Sequence, residues 1–207
     1  MKKRNLCGRY NRPLCWFTRS LTHPDRYRET ELGNFFSDVL QNSLDVDLAM
    51  VGSGSIRKTY AEAVITYAEL KEVFPYDDKI YRLKVTGRQF KKMYRYTLRD
   101  EMFEGNHTEF YQYSQGICVV YNKNKKDFIR FDFNGSPIDE ERLYTLAMQG
   151  FHFQNFDSCF GFPLDEVLKN SQAKILATSV LDVLVEHLPC IHLLEKNVEG
   201  RLVIEGA

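Results

Sequence analysis

The stretch EFYQYSQGICVVYNKNKKDFIRFDFNG, Glu109 to Gly135, decides the fold class. Glu109 to Tyr113, Gly116 to Tyr121 and Asp127 to Phe133 are three apolar, β-branched or aromatic runs. The polar segment Asn122-Lys-Asn-Lys-Lys-Asp127 and the pair Asn134-Gly135 punctuate them as hairpin turns. Connections this short make neighbouring strands antiparallel. Leu143 to Met148 reads as a further strand and Gly200 to Glu205 as a final one.

Helical periodicity appears on both sides of this β-rich block. Thr30 and Glu31 precede the stripe Leu32, Phe35, Phe36, Val39, Leu40, with Asp38 and Gln41 opposite. Asp45 to Val51 then reads as a buried strand running into the loop Gly52-Ser-Gly-Ser55, closed by Ile56 and Arg57. Thr66-Tyr-Ala-Glu69 has the capping-box pattern for a short helix through Val73, ended by Phe74-Pro75-Tyr76. Ile80 to Val85 alternates as a strand, and Gly87 opens an amphipathic helix carrying Phe90, Met93, Tyr94 and Leu98. Val180 to Leu188 reads as a late helix stopped by Pro189. Helices interspersed with antiparallel strands predict an α+β fold with mixed, largely antiparallel sheets, not a doubly wound parallel sheet. Residues 1–27 read as an extended N-terminal arm and 28–207 as one domain, without repeats or a low-complexity linker.

Bulk properties narrow the function. The chain has 207 residues, 43% of them hydrophobic. Its 28 Lys plus Arg balance 28 Asp plus Glu, for a net charge of 28 − 28 = 0. That argues against general nucleic-acid binding, which needs a basic face. The five cysteines, Cys7, Cys15, Cys118, Cys159 and Cys190, form no C-x-x-C pair, as expected of reduced thiols and not of a disulfide framework or zinc site. Met1-Lys-Lys-Arg-Asn5 is basic like the start of a signal peptide, but Arg9, Asn11, Arg12 and Pro13 interrupt any apolar region. No run approaches the about 18 apolar residues of a membrane span. The expectation is a cytoplasmic chain with no membrane partner.

The segment Gly150 to Asp157 carries the functional signal. Phe151 precedes Asp157 by six residues, with Phe153 and Phe156 between them. A ring that stacks on a flat base and a carboxylate that accepts from a sugar diol suit a nucleoside. Taken singly each residue has a plainer reading: Phe151 as core, Tyr76 as a helix-end residue, Arg28 as a surface charge beside Glu31, Asp157 as a turn residue capping its own backbone. Gly52-Ser-Gly-Ser55 lacks the G-K-[ST] ending of a Walker loop. The histidines His23, His107, His152, His187 and His192 show no ligand spacing and are expected mostly on the surface or in loops, His152 being as free to point outward as toward a pocket. Cys159 has no base on a shared pattern and makes a weak nucleophile candidate.

Motif order adds what single residues do not. Arg28-Glu-Thr-Glu-Leu-Gly-Asn34 with Asp38, Gly52-Ser-Gly-Ser-Ile-Arg57, Ile65-Thr-Tyr with Val73-Phe-Pro-Tyr76, Lys84-Val-Thr-Gly87, Gln112-Tyr-Ser-Gln-Gly-Ile117 with Val119-Val-Tyr121, Gly150-Phe151 through Asp157, and Glu199-Gly-Arg201 follow one another along the chain. In this order they resemble the C-terminal domain of the 5′-nucleotidase family, which includes UDP-sugar hydrolases and 2′,3′-cyclic-nucleotide phosphodiesterases. The resemblance implies substrate recognition in nucleotide catabolism. Tyr76 and Phe151 would sandwich the base, Asp157 would hold the ribose hydroxyls, and Arg28 and Arg57 would face ribose and phosphate. Gly52, Asn34 and Asn155 are further candidates. It also implies that a divalent metal pair lies on a separate metallophosphatase domain or chain. The family's D-x-H, N-H-(D/E) and G-H-x-H signatures are absent here, so this chain alone is expected to bind no metal and hydrolyse nothing.

The sequence departs from the family pattern at Gly52, where asparagine is usual, at Asn155-Phe156, where paired glycines are usual, and at Ser114-Gln-Gly116, which reads as a bulge. Gly52, Asn155 and Phe156 motivate the alternative of a non-catalytic interaction protein with a degenerate site, in which Phe156 would fill the slot between Tyr76 and Phe151.

Overall fold

Strand β3 (Leu48–Gly52) is buried at every position. Its side chains alternate between two cores, Leu48 and Met50 into one, Ala49 and Val51 into the other. A strand covered on both faces must be apolar throughout, which is why this segment reads as a continuous hydrophobic run. The computed structural model describes residues 8, 10–104, 108–188 and 193–206. Cys7, Cys190, His107, His192, Pro189 and the Met1–Asn5 segment lie outside the described residues.

β3 belongs to a five-stranded sheet of order β12-β6-β11-β3-β7. Its other members are β6 (Ile80–Thr86), β7 (Tyr111–Tyr113), β11 (Leu143–Gln149) and β12 (Lys174–Ala177). Only β11 and β3 pair in parallel; the remaining neighbours are antiparallel. A second sheet has the order β10-β9-β8-β13, from β8 (Ile117–Asn122), β9 (Asp127–Phe133), β10 (Ser136–Pro137) and β13 (Leu202–Glu205), with β13 parallel to β8. The α+β class and the mixed, largely antiparallel sheets are as the sequence implies.

The first core lies between the two sheets. Helix α3 (Gly87–Thr97) supplies Phe90, Met93 and Tyr94 to it. Thr86 caps α3 reciprocally with Gln89. Tyr94 stacks on Tyr113 at 4.5 Å, and Phe90 meets Phe131 edge-on at 5.7 Å. The short helices α4 (Asp100–Phe103) and α7 (Leu164–Leu168) add Met102 and Val167 to the same core. The second core covers the opposite face of the five-stranded sheet. Helix α1 (Glu31–Leu44) buries Leu32, Phe35, Phe36, Val39 and Leu40 there, with Thr30 accepting from the Gly33 N–H as its cap.

Residues 13–22, expected as an arm, are extended but integral to this second core. β1 (Pro13–Trp16) pairs with β5 (Val64–Thr66), and β2 (Leu21–Thr22) pairs with β4 (Tyr60–Ala61). Leu14, Cys15, Phe17 and Leu21 are buried. Helix α2 (Tyr67–Val73) follows β5 directly, with Thr66 as its cap. The Ser114-Gln-Gly116 segment is not a bulge. It carries the chain from β7 in one sheet to β8 in the other, and Gly116 takes φ +93° to make the change of direction.

A buried polar network closes the molecule. The Glu29 carboxylate accepts from Asn34 Nδ2, Glu199 N and Arg201 N, each at 2.7 Å. The Arg201 guanidinium donates to both Asp38 oxygens at 2.7 Å and to the Tyr113 carbonyl at 2.8 Å. Gln112 accepts from Thr30 N and donates to the Arg28 carbonyl and Ser53 Oγ. A Cβ on Gly33 would lie 2.2 Å from Gln112 Oε1, so the helix must present a glycine there.

Arg201 is buried, and its removal would take two hydrogen bonds from the Asp38 carboxylate, which keeps Lys196 and the Gln115 N–H, and one from the Tyr113 carbonyl. Arg201→Ala is therefore expected to cost about 1.5–3 kcal/mol, whereas Arg88→Ala, which breaks exposed pairs with Glu140 and Glu141, should leave stability nearly unchanged. Urea unfolding of the two variants checks this.

Candidate functional site

Parallel pairing aligns the carboxyl ends of β3 and β11 at one edge of the sheet. β6 runs antiparallel to β11, so the segment entering β6 arrives at the same edge. Three connections therefore converge: 52–57 after β3, 74–79 before β6, and the chain after β11. They enclose a cavity of about 410 Å³ lined by residues including Arg57, Tyr76 and Phe151.

The first wall is the single turn after Gly52. Buried Gln149, the last residue of β11, accepts from Gly52 N at 3.2 Å and from Ser55 Oγ at 3.1 Å. The Arg57 backbone N–H donates to the Val73 carbonyl at 2.8 Å. Its guanidinium carbon lies 5.9 Å from the Tyr76 ring centroid.

The second wall is the Phe74-to-Lys79 segment. Phe74 is buried, while Tyr76 across Pro75 is 48% exposed. The Asp78 carboxylate accepts from the Phe151 N–H at 2.6 Å, and its carbonyl accepts from Val180 N at 2.8 Å. One aspartate thus joins the segment to two helix starts, those of α5 (Gly150–Gln154) and α8 (Val180–His187). A Cβ on Gly150 would lie 2.6 Å from Asp78 Oδ1, so the contact requires glycine there.

The third wall is α5, whose Phe151 is 54% exposed. Large rings left this open at a cavity are available to a ligand and not spent on the core. The floor is His152, buried and edge-on to Tyr111 at 5.0 Å. Burial pushes its pKa down to about 4. Burial also raises the Glu109 carboxyl, an effect opposed by the Arg26 charge; both residues line the cavity.

The structure brings together Arg57, Tyr76 and Phe151 among the residues singled out from sequence. Gly52 lies beneath His152: a Cβ there would be 2.4 Å from the imidazole Nε2. Asn155 donates to the Phe151 carbonyl and lines an adjoining cavity of about 200 Å³ that shares Phe151 and Glu109.

Three of the candidates, Arg28, Asn34 and Asp157, are not among the residues that line this cavity. Arg28 is exposed and pairs with Asp25 at 2.5 Å, and Arg26 lines the cavity instead. Asn34 belongs to the buried network around Glu29. Asp157 lies on α6 (Phe156–Phe160), where Phe156 is buried against Phe160 and Phe162. Burying Phe156 fixes the rotation of that helix and turns its neighbour away. The Asp157 carboxylate accepts from Leu164 N at 2.8 Å, as a turn residue. Phe156 therefore does not fill the space between Tyr76 and Phe151. His23, expected near the surface, is buried with Nδ1 at 2.9 Å from Thr30 Oγ1. The sequence reading missed Arg26, Asp77, Asp78, Glu109 and Gln149; only Gln149, polar at the end of a buried strand beside the Gly150 motif, left a local signal.

Burial raises the Cys159 thiol, leaving it a poor nucleophile. Among the described residues no group of three or more His, Cys, Asp or Glu could hold a metal ion. The described residues thus do not fit a two-metal centre. No described helix is long and apolar enough to cross a membrane.

A family model described as 5′-nucleotidase, C-terminal domain, matches residues 8–163. Among solved structures, the chain is similar to the 5′-nucleotidase precursor of Thermus thermophilus, with TM-score 0.78 and 18% identity, over 99% of this chain and 41% of that one. It is similar also to the NAD nucleotidase of Haemophilus influenzae, with TM-score 0.74 and 13% identity, over 98% of this chain and 39% of that one. A curated relative, Endonuclease YhcR of Bacillus subtilis (strain 168), is 20% identical over 124 residues, 59% of this chain and 10% of that protein. The chain thus spans a tenth of that relative and about two-fifths of the two structures.

His23 and His152 are both pushed by burial from the ordinary 6.5 to about 4. The unfolded chain then binds more protons than the folded one between these values, so their contribution is present above pH 6.5 and lost as pH falls toward 4. Raised Glu109 acts in the opposite sense, so the difference between proteins is the informative quantity. The urea midpoint of His152→Phe should fall less than that of the unaltered protein over this range, by up to about 3 kcal/mol of stability.

Proposed function

Because the chain belongs to the family of 5′-nucleotidase C-terminal domains, we propose that it is the part of a phosphoester hydrolase that binds a nucleoside or nucleotide and presents it to a metallophosphatase domain or chain. One observation carries this reading: Tyr76 and Phe151, both about half exposed, sit on different walls of one cavity with Arg57 and Arg26 beside them. Its about 410 Å³ lies within the range of small-molecule sites.

The roles follow from chemistry. A flat heterocycle entering between the rings gains about 1–3 kcal/mol per stack and is read loosely, because every base has a π-face. The guanidinium groups of Arg57 and Arg26 suit phosphate through paired hydrogen bonds. The diol-accepting role first given to Asp157 falls to Asp77, a carboxylate that lines the cavity. Cleavage needs activated water and a stabilised phosphoryl group, which a two-metal site supplies. We assign that chemistry to another domain or chain. Of the departures behind the degenerate-site alternative, Phe156 packs in the core and leaves the space between the rings free of its own side chain.

Calorimetry with AMP, adenosine and UDP-glucose tests the reading. Binding should weaken by about 1–3 kcal/mol in Phe151→Ala, roughly 5- to 150-fold in Kd, and similarly in Tyr76→Ala. No binding of any of the three at millimolar concentration, with Phe151→Ala without effect, would sink it.

A further inference from the structure

The charges around the cavity do not add up to a basic site. Two guanidinium groups, Arg26 and Arg57, face three carboxylates, Asp77, Asp78 and Glu109, for a net charge of 2 − 3 = −1 when all are ionised. Backbone groups answer two of the carboxylates. Asp78 accepts from the Phe151 and Lys79 N–H groups, and Asp77 accepts from Leu181 N. Glu109 has no such answer. Among the described residues its carboxylate makes no hydrogen bond, and the Arg26 charge acts on it from beyond ion-pair distance. Its place is nevertheless fixed. The Ser53 N–H donates to the Phe110 carbonyl at 2.8 Å and holds this segment against the glycine turn after β3. A Cβ on Gly54 would lie 3.7 Å from Glu109 Oε1 and 3.7 Å from Arg26 Nη1, so both charges flank the same bare turn. Glutamine would fill this space without partly burying an unpaired charge.

We propose that Glu109 sets the charge selectivity of the cavity, opposing a terminal phosphate dianion beside Arg26 and favouring a nucleoside whose phosphate is esterified twice and carries one charge. This rests on the nucleoside reading above and deepens it by naming the phosphate state. Coulomb energy grows in proportion to ligand charge, whereas stacking is indifferent to it. Glu109 is only partly buried and lines the cavity, so its field falls on whatever enters. It offsets Arg26 across the turn. With Asp77 and Asp78 engaged by backbone N–H groups, one guanidinium, that of Arg57, remains to match one ligand charge. A phosphomonoester brings close to two charges above its second pKa of about 6, and a diester brings one.

Calorimetry at about pH 8, well above that pKa of about 6, compares adenosine, adenosine 5′-methyl phosphate and AMP, a series of rising negative charge. The unaltered protein should bind AMP no more tightly than the methyl ester. Glu109→Gln should leave adenosine unchanged, tighten the methyl ester about threefold and tighten AMP about tenfold. A defect of folding would weaken all three alike, so the graded response separates charge from structure. Should Glu109→Gln not fold, salt gives the same answer on the unaltered protein. Raising ionic strength from about 0.01 to 0.15 M screens the repulsion and should strengthen AMP relative to adenosine. An equal effect of Glu109→Gln on adenosine and AMP, AMP bound more tightly than the methyl ester by the unaltered protein, or AMP weakened by salt relative to adenosine would overturn the role of Glu109 while leaving the nucleoside site standing. Binding of none of the three would remove both readings together.

Discussion

Parallel pairing of β3 with β11 is the constraint on which the rest of the site depends. Two parallel strands end at the same edge, each at a glycine in close contact: Gly52, the last residue of β3, under His152, and Gly150, which follows β11, against Asp78. An antiparallel pair would have sent the two turns to opposite ends of the sheet. Antiparallel β6, entering at that edge, then adds Tyr76 without further device. The cavity is thus a product of strand direction, and Gln149 and Asp78 tie its walls together through bonds to the backbone of Gly52 and Phe151.

A different set of residues holds the scaffold. Glu29, Asn34, Asp38, Gln112 and Arg201 come from three of the segments whose order marks the family, yet they meet in one buried network away from the cavity. Their chemistry resembles that of a ligand site, with carboxylates, amides and a guanidinium. Their partners are backbone groups, one another and the side chains of Ser53, Lys196 and Glu199. Burial and partner lists, not residue type, separate the two roles.

That distinction sets what could be read from sequence. Caps at Thr30 and Thr66, and the strands around β8 and β9, are local signals and emerge where expected. The Thr66 box is only half made, because the Glu69 carboxylate binds Lys58 and Glu62 N instead of its own cap. Arg57, Tyr76 and Phe151 were legible because each sits in a short turn whose backbone directs it. Asp157 was not, because its direction follows from how Phe156 packs, a tertiary fact. Arg26 and Arg28 were indistinguishable, since the chain bends at both and strand parity carries no information there. His152 had no readable direction because its place depends on the absence of a side chain at Gly52, a hundred residues earlier in sequence.

The closing network has a bearing on how the molecule assembles. Glu29 receives N–H groups from residues 170 and 172 positions later, and β13 completes its sheet beside β8. During synthesis, the opening helix and most of both sheets leave the ribosome long before their final counter-charge does. Contacts this distant along the chain make for slow closure. Until Arg201 arrives, Asp38 and the outer edge of β8 stand unfinished, so the nascent form offers an open strand edge to its neighbours that the finished protein does not.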